Sequence, residues 1–298
     1  MRLLRLRTVL AATDLEPSSD SAVESAIRLA DAAGAKLHMA YVAPDQSGRS
    51  ASRGNPEAES AMTAFRERIG WSGKNRQIHI TSGDPAPTIS RLSDEIGADV
   101  IVIGRHRQRT AGKANRSIGS TAYDVVKRAL APCLITSRPL QVPVQEALVA
   151  IDTSETARGA LLVALSWASA LRHSKSDAAA TTLTALHIET GRPLSTRGAD
   201  RKRIVDHELD VLKRGAESWA GVTVASATKT STDPVSAIVG FANDQKPGLV
   251  VLGTRGLSAR KASGLGSVTA AVTNELDMPV LLVPPAVWRQ HAHDIDYL

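Results

Sequence analysis

Apolar residues fall along this chain in short unbroken runs, and most runs are followed by a longer segment with helical spacing. The first run, Thr8 to Thr13, ends at Asp14, and Pro17 with Ser18 supplies a turn and cap for a helix over Ser19 to Ala33. Lys36 to Val42 reads as a second strand, and the polar, glycine-containing stretch Pro44 to Pro56 as a mobile loop. A helix near Glu57 to Ile69, a short strand Ile78 to Thr81, a helix start at Asp84-Pro85 continuing over Thr88 to Ile96, and a strand Ala98 to Ile103 follow. Gly104 opens a long basic loop; a helix Ser120 to Ala129 and a strand Cys133 to Thr136 complete the series.

The same succession then begins again. Ala147 to Ile151 ends at Asp152 as the opening strand ended at Asp14, and Asp233-Pro234 answers Asp84-Pro85. Between and after them lie a helix Thr156 to Leu171, a strand Leu183 to Ile188, an amphipathic helix near Lys202 to Trp219 and a strand Val222 to Ala227. A helix Val235 to Asn243, a strand Leu249 to Leu252, a helix Ser267 to Glu275 and a strand Val280 to Val283 end the repeat. The duplication divides the chain into domains at 1–138 and 144–285, with Pro139 to Pro143 as linker and 286–298 as a tail. Five apolar strands alternating with helices in each unit indicate a parallel sheet covered on both faces, an α/β sandwich. Spacing leaves open whether the strand order is 3-2-1-4-5 or 2-1-3-4-5.

One junction carries more than fold. After Leu249 to Leu252 come Gly253-Thr254-Arg255-Gly256, nine further residues, and Gly266-Ser267. Gly253 and Gly256 can take backbone angles closed to other residues and leave no side chain against a ligand, while Gly266-Ser267 puts N–H groups and a hydroxyl at a helix start, a setting suited to phosphate. The spacing G-x2-G-x9-G-S is similar to the ATP-binding signature of the universal stress protein family, and both units resemble that family's domain over nearly their full length. The resemblance implies strand order 3-2-1-4-5, which makes strands one and four neighbours and brings Asp152 to the Gly253 loop. It also implies a stress-response protein binding ATP or a related adenine nucleotide through Asp152, Gly253, Arg255, Gly256, Gly266 and Ser267, with backbone near Ile188 meeting adenine. Any Mg2+ would ride on the phosphates. Aspartate is equally favoured before helices, so a turn or capping role for Asp152 stands beside the nucleotide one.

The first unit departs from this pattern. Gly104-Arg105-His106-Arg107 puts arginine at the second glycine, and eleven residues precede Gly119-Ser120. Asp14, Val42, Gly104, Arg107, Gly119 and Ser120 therefore form a degenerate copy; Arg105, Arg107, Arg109, Lys113 and Arg116 either hold an anion of their own or face water. Only the second unit is expected to keep a nucleotide site.

Composition narrows the partners. Aromatic residues make up 3% of the chain, too few for a single-strand nucleic-acid platform, and the net charge of +6 is scattered rather than gathered on one helix. No run is long enough to span a bilayer and no signal segment opens the chain, so a cytoplasmic protein is expected. Cys133 stands alone in an apolar run, which excludes an internal disulfide and a thiolate metal cluster. His38 and His187 read as core or rim histidines, and His291-Ala292-His293-Asp294 as a polar tail rather than a chelate. No GK[ST] arrangement follows the glycine loop, so phosphate is to be held rather than transferred. The expected activity is that of a nucleotide-binding sensor or regulator, its domains paired within the chain and the chain able to form a homodimer. A nucleotide-independent scaffold for a protein partner is the alternative, and a weak ATPase ranks last.

Overall fold

A computed structural model describes residues 4–44, 56–105, 107–110, 113–116, 118–152, 154–171, 180–190, 203, 207, 210, 221–256 and 264–291. The loop expected at Pro44 to Pro56, the amphipathic helix at Lys202 to Trp219 and the segment after His291 lie largely outside these residues.

Strands β1 (Thr8–Thr13), β2 (Lys36–Ala43), β3 (Arg76–Ser82), β4 (Val100–Gly104) and β7 (Cys133–Thr136) build the first half of one sheet. Strands β8 (Glu146–Ile151), β9 (Thr181–Glu189), β10 (Val222–Thr230), β11 (Leu249–Gly253) and β12 (Val280–Val283) build the second. The order across the whole sheet is β10-β9-β8-β11-β12-β7-β4-β1-β2-β3, so each half has the order 3-2-1-4-5. Pairing is parallel everywhere except at the seam, where β12 meets β7 antiparallel with Leu281 opposite Leu134 and Leu282 opposite Cys133. Cys133 is buried there, and burial pushes its thiol up to about 12, which keeps it protonated.

Helices cover both faces. On one lie α1 (Asp20–Ala33), α2 (Pro56–Arg68) and α5 (Glu155–Ala170); on the other lie α3 (Pro85–Ile96), α4 (Ser120–Arg128), α6 (Pro234–Gln245) and α7 (Ser267–Glu275). Each face is a single apolar core running through both halves: Leu29, Phe65, Leu134 and Leu165 share one, and Ile101, Val125, Leu252 and Val272 the other. Glycines in the left-handed region end α1 and α3, Gly34 at φ 64° and Gly97 at φ 61°, because an L side chain is strained there.

Two expectations need correction. The basic loop after Gly104 contains a two-stranded antiparallel hairpin, β5 (Arg107–Thr110) and β6 (Lys113–Arg116). The tail expected from residue 286 begins as a helix, α8 (Pro285–His291), held on α5: Val287 is buried, Trp288 packs at Gly159, and the Arg158 guanidinium lies 5.8 Å from the Trp288 ring centre. Its proline start and buried valine give it an anchor that a terminal polar segment lacks.

Candidate functional site

Strands β8 and β11 are parallel neighbours, and the chain leaves them toward opposite faces, into α5 and into α7. The crevice this opens at their C-terminal ends is the place where open α/β sheets take ligands. Asp152 follows β8 directly, Gly253 ends β11, and Ile188 lies near the end of β9, the neighbour of β8 on its other side. Gly266 caps α7 and Ser267 is its first residue.

The described ends of the loop are tied together and to the scaffold. The Thr254 N–H donates to Val283 O at 2.9 Å, the Gly266 N–H to Thr254 O at 2.8 Å, and the Thr269 hydroxyl to Gly253 O at 2.8 Å. From the other face the Thr156 hydroxyl of α5 donates to Arg255 O. These bonds bring the start of α7 against the loop, with Arg255 Cα 3.6 Å from where a Cβ on Gly266 would stand.

One part of what was expected of the glycines fails. Neither Gly253 nor Gly256 has a left-handed φ, so unusual backbone angles do not explain them. A Cβ on Gly253 would lie 2.5 Å from Thr156 Oγ1 and 2.7 Å from Thr156 Cβ; this glycine lets α5 close onto the end of β11. A Cβ on Gly256 would lie 3.0 Å from Asp152 Oδ2, so the missing side chain lets the loop approach that carboxylate closely.

Asp152 holds the entry to α5. Its Oδ1 accepts from the Ser154 N–H at 2.9 Å and from the Ser154 hydroxyl, and Ser154 in turn caps the helix by accepting the Ala157 N–H at 3.2 Å. The helix cap is thus Ser154, with Asp152 as its support, and the Oδ2 edge faces Gly256.

In the first half, Asp14 Oδ1 accepts the Glu16 N–H at 3.0 Å, and Val42 occupies β2 as Ile188 occupies β9, each half-buried against the same core. Gly104 packs 3.3 Å from Ser19 Cα when given a Cβ, a looser version of the Gly253 contact. Gly119 caps α4 at φ 85°, a conformation that does call for glycine, and Ser120 begins the helix. Arg107 lies in the hairpin. Arg105, expected beside an anion or in water, is buried at 3% exposure; its N–H donates to Thr136 O, and its Nη1 reaches across the seam to Leu276 O at the C-terminal end of α7. The Ile118 N–H likewise donates to Asn274 Oδ1 of α7 at 2.9 Å. The degenerate loop is docked onto the other half.

The histidine reading missed a partner. His38 Nδ1 lies 2.9 Å from His79 Nε2 across β2 and β3, with the rings stacked at 5.2 Å. Burial lowers both from the ordinary 6.5; His79 and Lys36 push His38 down further, while Glu95 partly offsets the shift of His79. Spacing in the sequence gave no sign of the pair, because it exists only once β3 is placed beside β2. His187 Nδ1 lies 3.1 Å from Ile151 O. Among the described residues no three His, Cys, Asp or Glu side chains converge on a metal-sized space, and no helix is long and apolar enough to cross a membrane.

Comparisons with known proteins agree with this architecture. A structure of a universal stress protein from Archaeoglobus fulgidus DSM 4304 is 18% identical, covers 95% of this chain and 100% of its own, and superposes with a TM-score of 0.71. A functionally unknown protein from Pseudomonas aeruginosa PAO1 is 15% identical over 97% of this chain and 96% of its own, with a TM-score of 0.63. A universal stress protein solved in complex with cAMP is 27% identical over 44% of this chain and 96% of its own, with a TM-score of 0.37. A comparison with curated proteins finds no match. The model of the universal stress protein family matches twice, over residues 5–137 and 144–284, so the chain belongs to the universal stress protein family and carries its domain in tandem.

Proposed function

We propose that this protein is a cytoplasmic sensor or regulator that binds ATP or a related adenine nucleotide in its second half, within residues 144–285. The observation that carries this reading is the close approach of the glycine loop to Asp152, whose Oδ2 lies 3.0 Å from where a Cβ at 256 would stand, at the crevice between β8 and β11. In this reading Asp152 accepts a ribose hydroxyl, backbone N–H groups of the Gly256 loop and the Ser267 helix start donate to phosphate oxygens, Arg255 adds positive charge, and backbone near Ile188 borders the base. A carboxylate this close to phosphate would repel it, so Asp152 faces the sugar or a Mg2+ carried by the nucleotide. The loop sequence has no lysine in P-loop position, and among the described residues no base meets a nucleophile there, so in this reading nucleotide is held rather than turned over. The first half takes no nucleotide in this way, since its loop is committed to α7 through Arg105 and Ile118.

Isothermal calorimetry tests the reading: about one ATP per chain in the wild type, and none in Gly256→Arg, which copies Arg107. Unchanged affinity in that variant would falsify the assignment.

One observation favours a second reading, a nucleotide-independent scaffold for a protein partner. The Thr156 hydroxyl on Arg255 O and the Thr254 backbone bonds to Val283 and Gly266 tie the ends of the glycine loop to the scaffold through the protein's own groups. Nucleotide-free heat extracts together with no binding at millimolar ATP would select it. In either reading the two halves act as an intramolecular pair, and a homodimer would use surfaces other than the joined edges of β7 and β12.

A further inference from the structure

The two sides of the seam are related as copies, and one side is filled where the other is open. Arg105 and Thr254 are equivalent: each follows the strand-ending glycine, and each donates its N–H to the last residue of the closing strand, Thr136 O and Val283 O, at 2.9 Å. Leu276 and Ala129 are equivalent too, ending α7 and α4 with ψ 137° in both cases. Arg105 spans the distance to Leu276 and is buried in doing so. Thr254 is too short to reach Ala129, and between them lies a cavity of about 420 Å³, within the range that holds small molecules.

We propose that this cavity is a second ligand site, for a small organic anion with an apolar body, built where Thr254 leaves open the space that Arg105 fills across the seam. Its apolar wall comes from Val126, Leu130, Leu265, Pro284 and Pro285. Its charge comes from Lys127, Arg128 and Arg289, and no carboxylate is among the described residues that line it. Two of these cations have partners: the Lys127 ammonium lies 5.7 Å from the Tyr123 ring centre, and Arg289 Nε is 3.5 Å from Glu155 Oε2. This net positive potential beside an apolar wall selects an anion whose body can be desolvated. The site is distinct from the Asp152 crevice, because α4 of the opposite half and α8 form its walls while Asp152 does not line it.

The probe is 8-anilinonaphthalene-1-sulfonate, an aromatic sulfonate, titrated into the full chain and followed by its fluorescence. The expected result is one site per chain, weakened several-fold by high salt, lost in Thr254→Arg, and weakened about tenfold in the double variant Arg128→Gln/Arg289→Gln. Saturating ATP should not displace the probe. Unchanged affinity in the double variant, with its circular dichroism melt preserved, overturns the proposal; so does equal binding to a folded Thr254→Arg protein, or one-for-one displacement by ATP. The double-variant arm decides the matter whether or not ATP binds.

Discussion

The two strand-ending loops, Gly104 to Ser120 and Gly253 to Ser267, grow from the same place on the same scaffold and do opposite things. The second folds back on itself through Gly266 and Thr254 and brings Gly256 close to Asp152. The first sends Arg105 and Ile118 to α7 of the other half. A short side chain after the strand leaves a cleft; an arginine there becomes a buried strut. The difference teaches that a loop departing from its copy's glycine pattern need not be a decayed one, since its residues here hold the seam.

The largest effect expected from breaking this comparison is at Gly253. Gly253→Ala forces a Cβ to 2.5 Å from Thr156 Oγ1, against helix backbone as well as side chain, and should cost about 3 kcal/mol in urea unfolding. Gly104→Ala meets Ser19 Cα at 3.3 Å and should cost about 1 kcal/mol. Equal costs would mean that the two contacts do not differ as described. Next comes Arg105→Met, which leaves Leu276 O at a helix end without its cation and should destabilise by about 2 kcal/mol. The companion change Thr254→Met, at the open side, should be close to neutral.

How far the fold was legible in the sequence follows from the range of the forces involved. Apolar runs between turn residues marked the strands of both halves, because burial on both faces of a parallel sheet removes polar residues from them. The runs understated lengths where edge strands carry polar residues: β10 continues through Lys229 to Thr230, and β3 begins at Arg76. The hairpin was hidden for the same reason, since Arg107-Gln108-Arg109-Thr110 has no apolar alternation. At the candidate site, the convergence of Asp152 with the glycine loop was legible only through the strand order that the family resemblance implied, since spacing alone left two orders open. The reason for Gly253 was not, because Thr156 lies far away in sequence and no local pattern announces a close approach. Arg105 was misread on the sound rule that arginines face water; the rule fails when a helix C-terminus from another half waits to accept the charge.

The histidine pair offers a pH test confined to the first half. Its ring pKa values are lowered in the folded protein, so the unfolded chain takes up protons first on acidification. The stability this pair contributes is therefore present in full above the unfolded value near 6.5 and lost as the pH falls from there through the lowered folded values. Thermal melts between pH 8 and pH 5 should show Tm falling on the acid side, with a flatter profile in His79→Gln; a parallel profile would remove the pair from the account. The smallest contrast separates two helix starts that look alike in sequence. Asp233 Oδ1 accepts the N–H groups of Val235 and Ser236, while Asp84 makes no such side-chain bond. Asp233→Ala should lower Tm more than Asp84→Ala, and the gap should close at strongly acidic pH, where the Asp233 carboxyl, held below its usual value by the Ser236 hydroxyl and backbone, is finally protonated.

The antiparallel meeting of β7 and β12 has one more consequence. Two identical chains joined by such a seam would have to obey its symmetry, and every substitution would appear on both sides at once. An arginine strut would then close both clefts, or neither. Covalent duplication lifts that constraint: Arg105 is inherited once and Thr254 once, and each side of the seam can be tuned without its mirror image following.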